Sequence, residues 1–236
     1  MSSPFPVHVP LEKGRWRKVL FAVEVLDAVT LERLSEGLEV EADGLRGKPR
    51  RNVGGVFVWL DEDLTPLRKV TVDPQRLPYE PVELPRAALK LPPETNVVEL
   101  PPRTDYPFTA GITGMRGALF ETRPAPPSPP TPVAGAEVRL RWLDEDGTTW
   151  RDAPTAATAR KERGKEGDFV AFVRFAPGDA PKLDAKSALS VRVVATRGGA
   201  TRTSAALALP LGHVADPSTY EPGADALLFA WDELTP

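Results

Sequence analysis

Hydrophobic and polar residues alternate along much of this chain, and an alternation with period two predicts β-strands. The clearest example lies at residues 138–142, where Val138, Leu140 and Trp142 share one face while Arg139 and Arg141 share the other. A strand of this kind buries its apolar face in a core and turns its charged face to solvent. We therefore expect a half-buried strand here.

The same alternation, or a short apolar run, predicts further strands in both halves of the chain. In the first half they are residues 18–27, 38–42, 56–60, 68–73 and 79–84. In the second half they are residues 114–122, 148–158, 169–175, 188–196 and 201–210. The runs 56–60 and 169–175 are apolar on both faces, which is typical of central strands. Residues 79–84 are flanked by prolines, which favours an edge strand.

Proline is the most informative residue type, since the chain has 27 Pro among 236 residues. Proline interrupts helix interiors and central sheet positions, but it is common in loops and at sheet edges. No amphipathic helix longer than about 12 residues is predicted. The two short helical candidates are residues 30–38 and 224–234. The sequence thus predicts an all-β protein with few or no helices.

The two halves carry similar signals in the same order. Each has a first strand, a Gly-led alternating strand, a polar loop, a Gly-led apolar strand and a further alternating strand. This order predicts two tandem Greek-key β-sandwiches, transthyretin-like or Ig-like. We expect residues 1–90 to form the first with an extended lead-in, and residues 106–212 to form the second. Residues 91–105 would be a Pro-rich linker, in which 97–100 can still pair as an edge, and 213–236 a C-terminal tail.

Short motifs in both halves resemble the transthyretin-like (prealbumin-like) modules of the carboxypeptidase regulatory-like type. Such modules read as a strand ending in Asp-Ala, a turn, a Gly-x-x-Val strand, a loop and a Gly-aromatic strand. The matching segments are residues 25–28, 37–40 and 55–57 in the first half, and 117–119, 135–138 and 167–169 in the second. The second half lacks the Asp-Ala ending. The resemblance implies binding, spacing or folding-assistance modules without shared catalytic residues.

Composition and motifs argue against several kinds of chemistry. The net charge of −3 gives no overall field that would attract nucleic acid or an anionic membrane, and the absence of Cys excludes disulfides and thiolate metal sites. The only histidines are His8 and His213, and no hydrolase or nucleotide-binding motif is present. The Gly-x-x-Gly-x-x-Gly run at 111–117 leads into a strand instead of a helix. The acidic triplets at 61–63 and 144–146 lack the spacing of a Ca²⁺ loop, so we interpret them as turns.

We therefore predict a protein that is not an enzyme and has no cofactor and no metal. No signal-peptide pattern and no membrane-spanning apolar run is visible, so a cytoplasmic location is expected. The predicted partners are other protein subunits, with no membrane contact and with nucleic acid disfavoured. The function hypothesis is a structural or adaptor protein. By analogy at the level of the fold, it fits an accessory subunit of a phage-tail-like or similar multi-subunit machine. The alternative is a carbohydrate- or ligand-binding module.

Two groups of residues are candidate interaction sites. The first is an apolar cluster near the C-terminus, which either docks on its own domain, the favoured outcome, or is donated to a partner. Its assigned partner-binding residues are Leu227, Leu228, Phe229 and Trp231. The second group consists of two basic loops, which would form a site for an anionic partner if they lay at the same end of the molecule. These loops contain Arg46, Lys48, Arg50 and Arg51, and Arg160, Lys161, Arg163 and Lys165.

Overall fold

The computed structural model describes residues 18–60, 64–90, 94–124, 130–157, 166–218, 220 and 223–236. Within these residues the chain is all-β, as predicted. Apart from strands, the described residues contain 3-10 turns at Arg86–Ala88, Ala224–Leu227 and Trp231–Glu233, and no longer helix. The helical alternatives for 30–38 and 224–234 are therefore wrong. No helix in the described part of the chain has the length and apolar character needed to cross a membrane.

Most strands fall close to their predicted positions. The short strands Arg50–Arg51, Val214–Ala215 and Leu228–Ala230 were not predicted, and the predicted run 201–210 is divided into two strands. The first half contains β1 Val19–Asp27, β2 Glu39–Asp43, β3 Arg50–Arg51, β4 Phe57–Leu60, β5 Lys69–Asp73, β6 Val82–Pro85 and β7 Asn96–Leu100. The second half contains β8 Thr113–Phe120, β9 Glu137–Leu143, β10 Trp150–Ala157, β11 Asp168–Val173 and β12 Ala188–Arg197. It continues with β13 Ala200–Thr203, β14 Leu207–Pro210, β15 Val214–Ala215 and β16 Leu228–Ala230.

The first half forms two sheets, with strand orders β3-β4-β1-β7 and β2-β5-β6. In the larger sheet β1 pairs antiparallel with β4 and parallel with β7. Strand β7 comes from the segment expected to be a linker. Residues 96–100 thus form an edge strand of this sheet, which is the pairing that the sequence allowed for residues 97–100. The linker expected at 91–105 is corrected accordingly, because the alternating residues of this segment bury Val98 and Leu100 in the first core.

One hydrophobic cluster joins the two sheets of the first half. On β1, the alternate residues Phe21, Val23 and Val25 are fully buried in it, and the ring of Phe21 stacks on Trp59 with centroids 4.4 Å apart. Strands β2 and β5 bury Val40, Ala42, Val70 and Val72 in the same cluster. The period-two patterns thus identified the inward faces of these strands correctly.

The second half repeats this arrangement with longer strands. Its sheets have the orders β11-β8-β15, with β16 also pairing with β8, and β10-β9-β12-β13, with β14 also pairing with β12. Strand β8 has an antiparallel neighbour, β11, and parallel neighbours, β15 and β16, just as β1 has β4 and β7. In the other sheet the order β9-β12-β14 corresponds to β2-β5-β6.

Two further comparisons refine the repeat. Strand β3 joins β4, whereas its counterpart β10 joins β9 in the opposite sheet. Trp59 lies on β4 and Trp142 on β9, which are not equivalent strands. The Trp-Leu-Asp-Glu-Asp segment shared by the two halves is thus not part of the structural repeat.

Strand β11 is buried on both faces because it lies between the two halves. Phe169, Ala171 and Val173 belong to the cluster of the second half, while Phe172 belongs to that of the first. Its expected central position in a sheet is wrong, because β11 ends the order β11-β8-β15. Strand β4, the other run expected to be central, does lie between β3 and β1.

Two arginines reinforce the contact between the halves. Arg116 on β8 donates hydrogen bonds to the carbonyl oxygens of Thr104 (3.0 Å) and Tyr106 (2.7 Å). Arg174 donates to the carbonyl oxygen of Ala28 (2.9 Å) and to the Glu99 carboxylate (2.8 Å). These charge-assisted bonds join the second half to β7 and the adjoining loops of the first, whose hydrophobic cluster includes Tyr106 although the second half was expected to begin there.

Candidate functional site

The predicted C-terminal cluster docks on its own half of the chain. Strand β16 pairs parallel with β8, and Leu227 and Phe229 are 0 % and 7 % exposed in the second core. These two side chains complete a core that contains their own sheet. The structure thus shows the self-docked alternative.

The other two residues of this cluster, Leu228 and Trp231, are only half-buried. The carbonyl oxygen of Trp231 accepts a hydrogen bond from Arg202 (2.7 Å), and the guanidinium groups of Arg197 and Arg202 lie 5.5 and 5.0 Å from the centre of its ring. Thr235 pairs with Thr203 through backbone hydrogen bonds. The residues that follow β16 are therefore held by backbone hydrogen bonds and by the contacts of two arginines with the Trp231 ring.

The two predicted basic loops have different outcomes. Arg160, Lys161, Arg163 and Lys165 lie outside the described residues. Arg46, Lys48, Arg50 and Arg51 are all exposed. Arg51 donates a hydrogen bond to the carbonyl oxygen of Ser35 (2.6 Å) and lies 3.8 Å from the Glu36 carboxylate. The expected convergence of the two loops on one anionic partner stays a prediction.

The first basic loop borders a groove of about 860 Å³, which we call the edge groove. One wall is strand β2 with the adjacent Lys69, Thr71 and Gln75, and the other is formed by residues 44–49 and Arg51. Its apolar lining residues include Leu38, Leu45 and Phe57. Strand β2 ends the order β2-β5-β6, so among the described residues no strand pairs with its groove side. The groove therefore contains an open strand edge.

The direction of the backbone groups of β2 follows from its hydrogen bonds. The carbonyl oxygen of Asp43 accepts from Arg68 beside β5, while that of Ala42 accepts from Leu45 on the opposite side. Because successive residues of a strand direct their backbone groups to opposite sides, Val40 and Ala42 present theirs to the groove. The N–H and C=O of Val40 and the N–H of Ala42 thus point to the open edge.

Charge is unevenly distributed around this edge. The solvent face of the β2-β5-β6 sheet carries Glu39, Glu41, Asp43, Asp73 and Glu83 and a single basic side chain, Lys69. Lys69 is paired with Glu83 at 2.6 Å. The opposite wall of the groove carries Arg46, Lys48 and Arg51. The two walls have opposite sign, so the groove has no general excess of positive charge with which to attract a polyanion.

The most strongly perturbed ionisable groups lie elsewhere, in a buried cluster around Asp27. Its Oδ2 accepts hydrogen bonds from the hydroxyls of Tyr79 (3.0 Å) and Tyr106 (2.5 Å), and its Oδ1 accepts from the N–H groups of Val29 (2.6 Å) and Thr30 (3.3 Å). Burial, followed by the neighbouring Asp27 carboxylate, raises the pKa of both tyrosines well above the usual value. The cluster joins residues that are 52 and 79 positions apart in the chain. We interpret it as a structural tie, because both carboxylate oxygens already have donors.

The acidic triplet at 144–146 forms a turn, as predicted. Asp146 accepts from the N–H groups of Thr148 and Thr149 and from the Thr149 hydroxyl, and these bonds lower the pKa of its carboxyl below the usual range. Asp144 pairs with Arg151. The triplet at 61–63 and His8 lie outside the described residues, within which no group of three metal-ligating side chains converges.

The described tryptophans do not form an open aromatic platform. Trp59 and Trp142 are each 1 % exposed. Trp150 is half-buried with the Arg192 guanidinium 4.2 Å above its ring, and Trp231 is contacted by two arginines. A glycan-binding surface of stacked aromatic rings is thus not seen in the part of the chain that the structure describes.

Comparisons with family models, with curated proteins and with solved structures found no match to this chain. The transthyretin-like resemblance therefore rests on the short motifs alone. Sequence reasoning missed the edge of β2 as a site. The visible signal was its alternating acidic face, Glu39, Glu41 and Asp43, but a pattern of this kind does not reveal whether a strand has a neighbour on each side.

Proposed function

We propose that this chain is a structural or adaptor protein built from two tandem transthyretin-like β-sandwiches, and that it binds another protein at the open edge of β2. The observation that carries the proposal is the edge groove, into which Val40 and Ala42 direct their backbone hydrogen-bonding groups. An extended segment of a partner would add to the sheet as a fourth strand. Strand addition of this kind is a common mode of protein recognition.

The dimensions of the edge groove suit this mode of binding. Strand β2 has five residues, which span about 17 Å at about 3.3 Å per residue. Exposed edges are usually protected by prolines, bulges, very short strands or charged side chains, and of these devices β2 has only its acidic side chains. Strand β6, at the other edge of the same sheet, ends in Pro85 and follows Pro81, and β3 in the neighbouring sheet has two residues. Strand β2 contains no proline, and its pairing with β5 is regular over five residues.

The carbohydrate-binding alternative gains no comparable support from the described residues. Its expected feature is an exposed aromatic platform, whereas the half-buried Trp150 and Trp231 are covered by arginines. Assembly by strand addition needs no such platform, since the backbone supplies the hydrogen bonds. The proposed role thus depends on an edge that the fold leaves unpaired and not on any reactive side chain.

Site-specific photo-crosslinking in cells of the native host tests the proposal. A photoreactive residue replaces Glu41 on β2, and the matched control replaces Glu83 on β6, whose side chain is 60 % exposed on the same sheet face. We expect a crosslinked partner at position 41, with the crosslinked residues in one extended segment of that partner. Equal crosslinking at both positions, or products that contain only this chain, would contradict binding of a different protein at this edge.

A further inference from the structure

We propose that the segment bound in the edge groove is an extended peptide in which apolar residues alternate with lysine or arginine. The inference rests on the proposed function, because it specifies the partner of the same edge. An added strand next to β2 would direct alternate side chains to the two faces of the sheet. The chemistry of each face then decides which residue types fit there.

The solvent face selects basic side chains. Glu39, Glu41 and Asp43 form a continuous acidic row along β2, and they lie next to the positions that outward side chains of an added strand would occupy. Opposite charges on directly facing positions of adjacent strands attract, and like charges repel. Lys69, the basic residue on this face, is already paired with Glu83 at 2.6 Å. Within its own sheet the acidic row thus has no basic side chain on the groove side, and the positive charges of the groove, Arg46, Lys48 and Arg51, belong to its opposite wall.

The inner face selects apolar side chains. Side chains of an added strand that point inward would meet the lining residues Leu38, Leu45 and Phe57. Phe57 is 8 % exposed and Leu38 and Leu45 are half-buried, so these contacts would remove the remaining apolar surface from water. A charged side chain in this position would be buried without a partner, which is costly.

The same acidic row disfavours a second copy of this chain as the occupant. If two β2 strands paired antiparallel across a two-fold axis at Glu41, each Glu41 would face the other copy's, and Glu39 would face Asp43. Three acid-acid pairs would then lie directly opposite each other, which destabilises the pairing. The charge pattern therefore disfavours self-association at this edge and favours a partner of opposite charge.

The experiment measures binding of labelled seven-residue peptides to the full-length chain by fluorescence anisotropy. The probe alternates valine and lysine. A second peptide alternates valine and glutamate, and a third has the composition of the probe with its lysines in one block. The basic and the acidic alternating peptides are each also prepared with N-methyl groups on every second backbone nitrogen, once beginning at the first residue and once at the second. One of these two forms lacks the N–H groups that would pair with β2.

We expect the alternating basic peptide to bind about 10-fold more tightly than the block peptide and the acidic peptide, since each favourable cross-strand pair contributes modestly. One of the two N-methylated forms of the basic peptide should not bind, because it lacks the N–H groups that pair with β2. The variant Glu39→Gln/Glu41→Gln/Asp43→Asn should lose about 10-fold in affinity for the basic peptide. The charge-matched control Glu145→Gln/Asp225→Asn/Asp232→Asn, whose exposed acids lie outside the groove, should bind as the unmodified chain does.

The possible failures are distinguishable. Equal binding of the block peptide would mean general charge attraction and would overturn the alternating pattern. Tighter binding of the acidic peptide, blocked by N-methylation, would overturn the basic partner but leave strand addition intact. If no peptide binds in a manner sensitive to N-methylation, both this inference and the proposed use of the β2 edge are wrong.

Discussion

Replacing Tyr106 by phenylalanine removes one hydrogen bond from the buried Asp27 cluster and leaves the ring in place. Tyr106 is 6 % exposed and Asp27 is 4 % exposed. The lost bond, 2.5 Å from the hydroxyl to Oδ2, leaves that oxygen with the Tyr79 hydroxyl as its remaining donor in the cluster. A hydrogen bond to a charged group contributes about 1.5–3 kcal/mol, so the free energy of unfolding should fall by about 2 kcal/mol.

Urea unfolding at neutral pH, followed by tryptophan fluorescence, measures this loss. The matched control is Tyr220→Phe, which removes a bond of 2.7 Å to an uncharged acceptor, the carbonyl oxygen of Ala208. That bond should contribute about 1 kcal/mol. The reasoning is refuted if the Tyr106 variant is no less stable than the Tyr220 variant, because Asp27 would then not depend on its buried donors.

The same cluster predicts a loss of stability at high pH. Because burial and Asp27 raise the pKa of Tyr79 and Tyr106, the unfolded chain releases these protons near pH 10, before the folded chain does. The contribution of the two protonated tyrosines to the stability of the fold is therefore complete below about pH 10. Above this pH the free energy of unfolding falls by about 1.4 kcal/mol per pH unit for each tyrosine. Tyr106→Phe should have a shallower slope between pH 10 and 11. Parallel slopes for the variant and the unmodified chain would contradict the assignment.

Four further substitutions test the packing. Gly44 has φ +96°, and Gly44→Ala would place a Cβ 1.9 Å from the carbonyl oxygen of Pro66. The control Gly178→Ala has a similar φ of +92° but open space around the new Cβ, so its free energy of unfolding should fall by about 1–2 kcal/mol. Gly44→Ala should lower the free energy of unfolding by more than this, as measured by thermal or urea unfolding. Phe172→Ala should cost about 3–5 kcal/mol and weaken the contact between the halves, measured as easier proteolysis between them. Leu227→Ala should cost about 2–5 kcal/mol in urea unfolding, whereas a tail that served only a partner would tolerate it.

The pattern of the sequence predicted the local structure well, because alternation depends only on the geometry of a single strand. The inward residues of β1, β2, β5 and β9 were identified before any neighbour was known. The prolines correctly indicated an all-β chain, since they interrupt helices wherever they occur. The order of signals is similar in the two halves, but the pairing of β1 with β4 and of β8 with β11 became known only from the structure.

The candidate site was predicted only in part. The basic loop at 46–51 was visible from composition, but its position opposite the acidic edge of β2 depends on how β3 pairs with β4. The apolar tail was recognised as a docking segment, and the surface it covers became known only through its pairing with β8. A strand's own residues do not record which of its two edges has a neighbour.

What the sequence by itself determined was most of the strands, the alternation of their two faces and, for the residues that the structure describes, an all-β chain without long helices. Only the tertiary structure decided which strands are neighbours, that β7 joins the first sheet, and that β11 is apolar on both faces because the first half covers it. It also decided that Asp27, Tyr79 and Tyr106 meet across 52 and 79 positions of the chain. Alternation follows from bonds within one segment, whereas neighbours, edges and buried polar clusters follow from contacts between distant segments that compete for the same space.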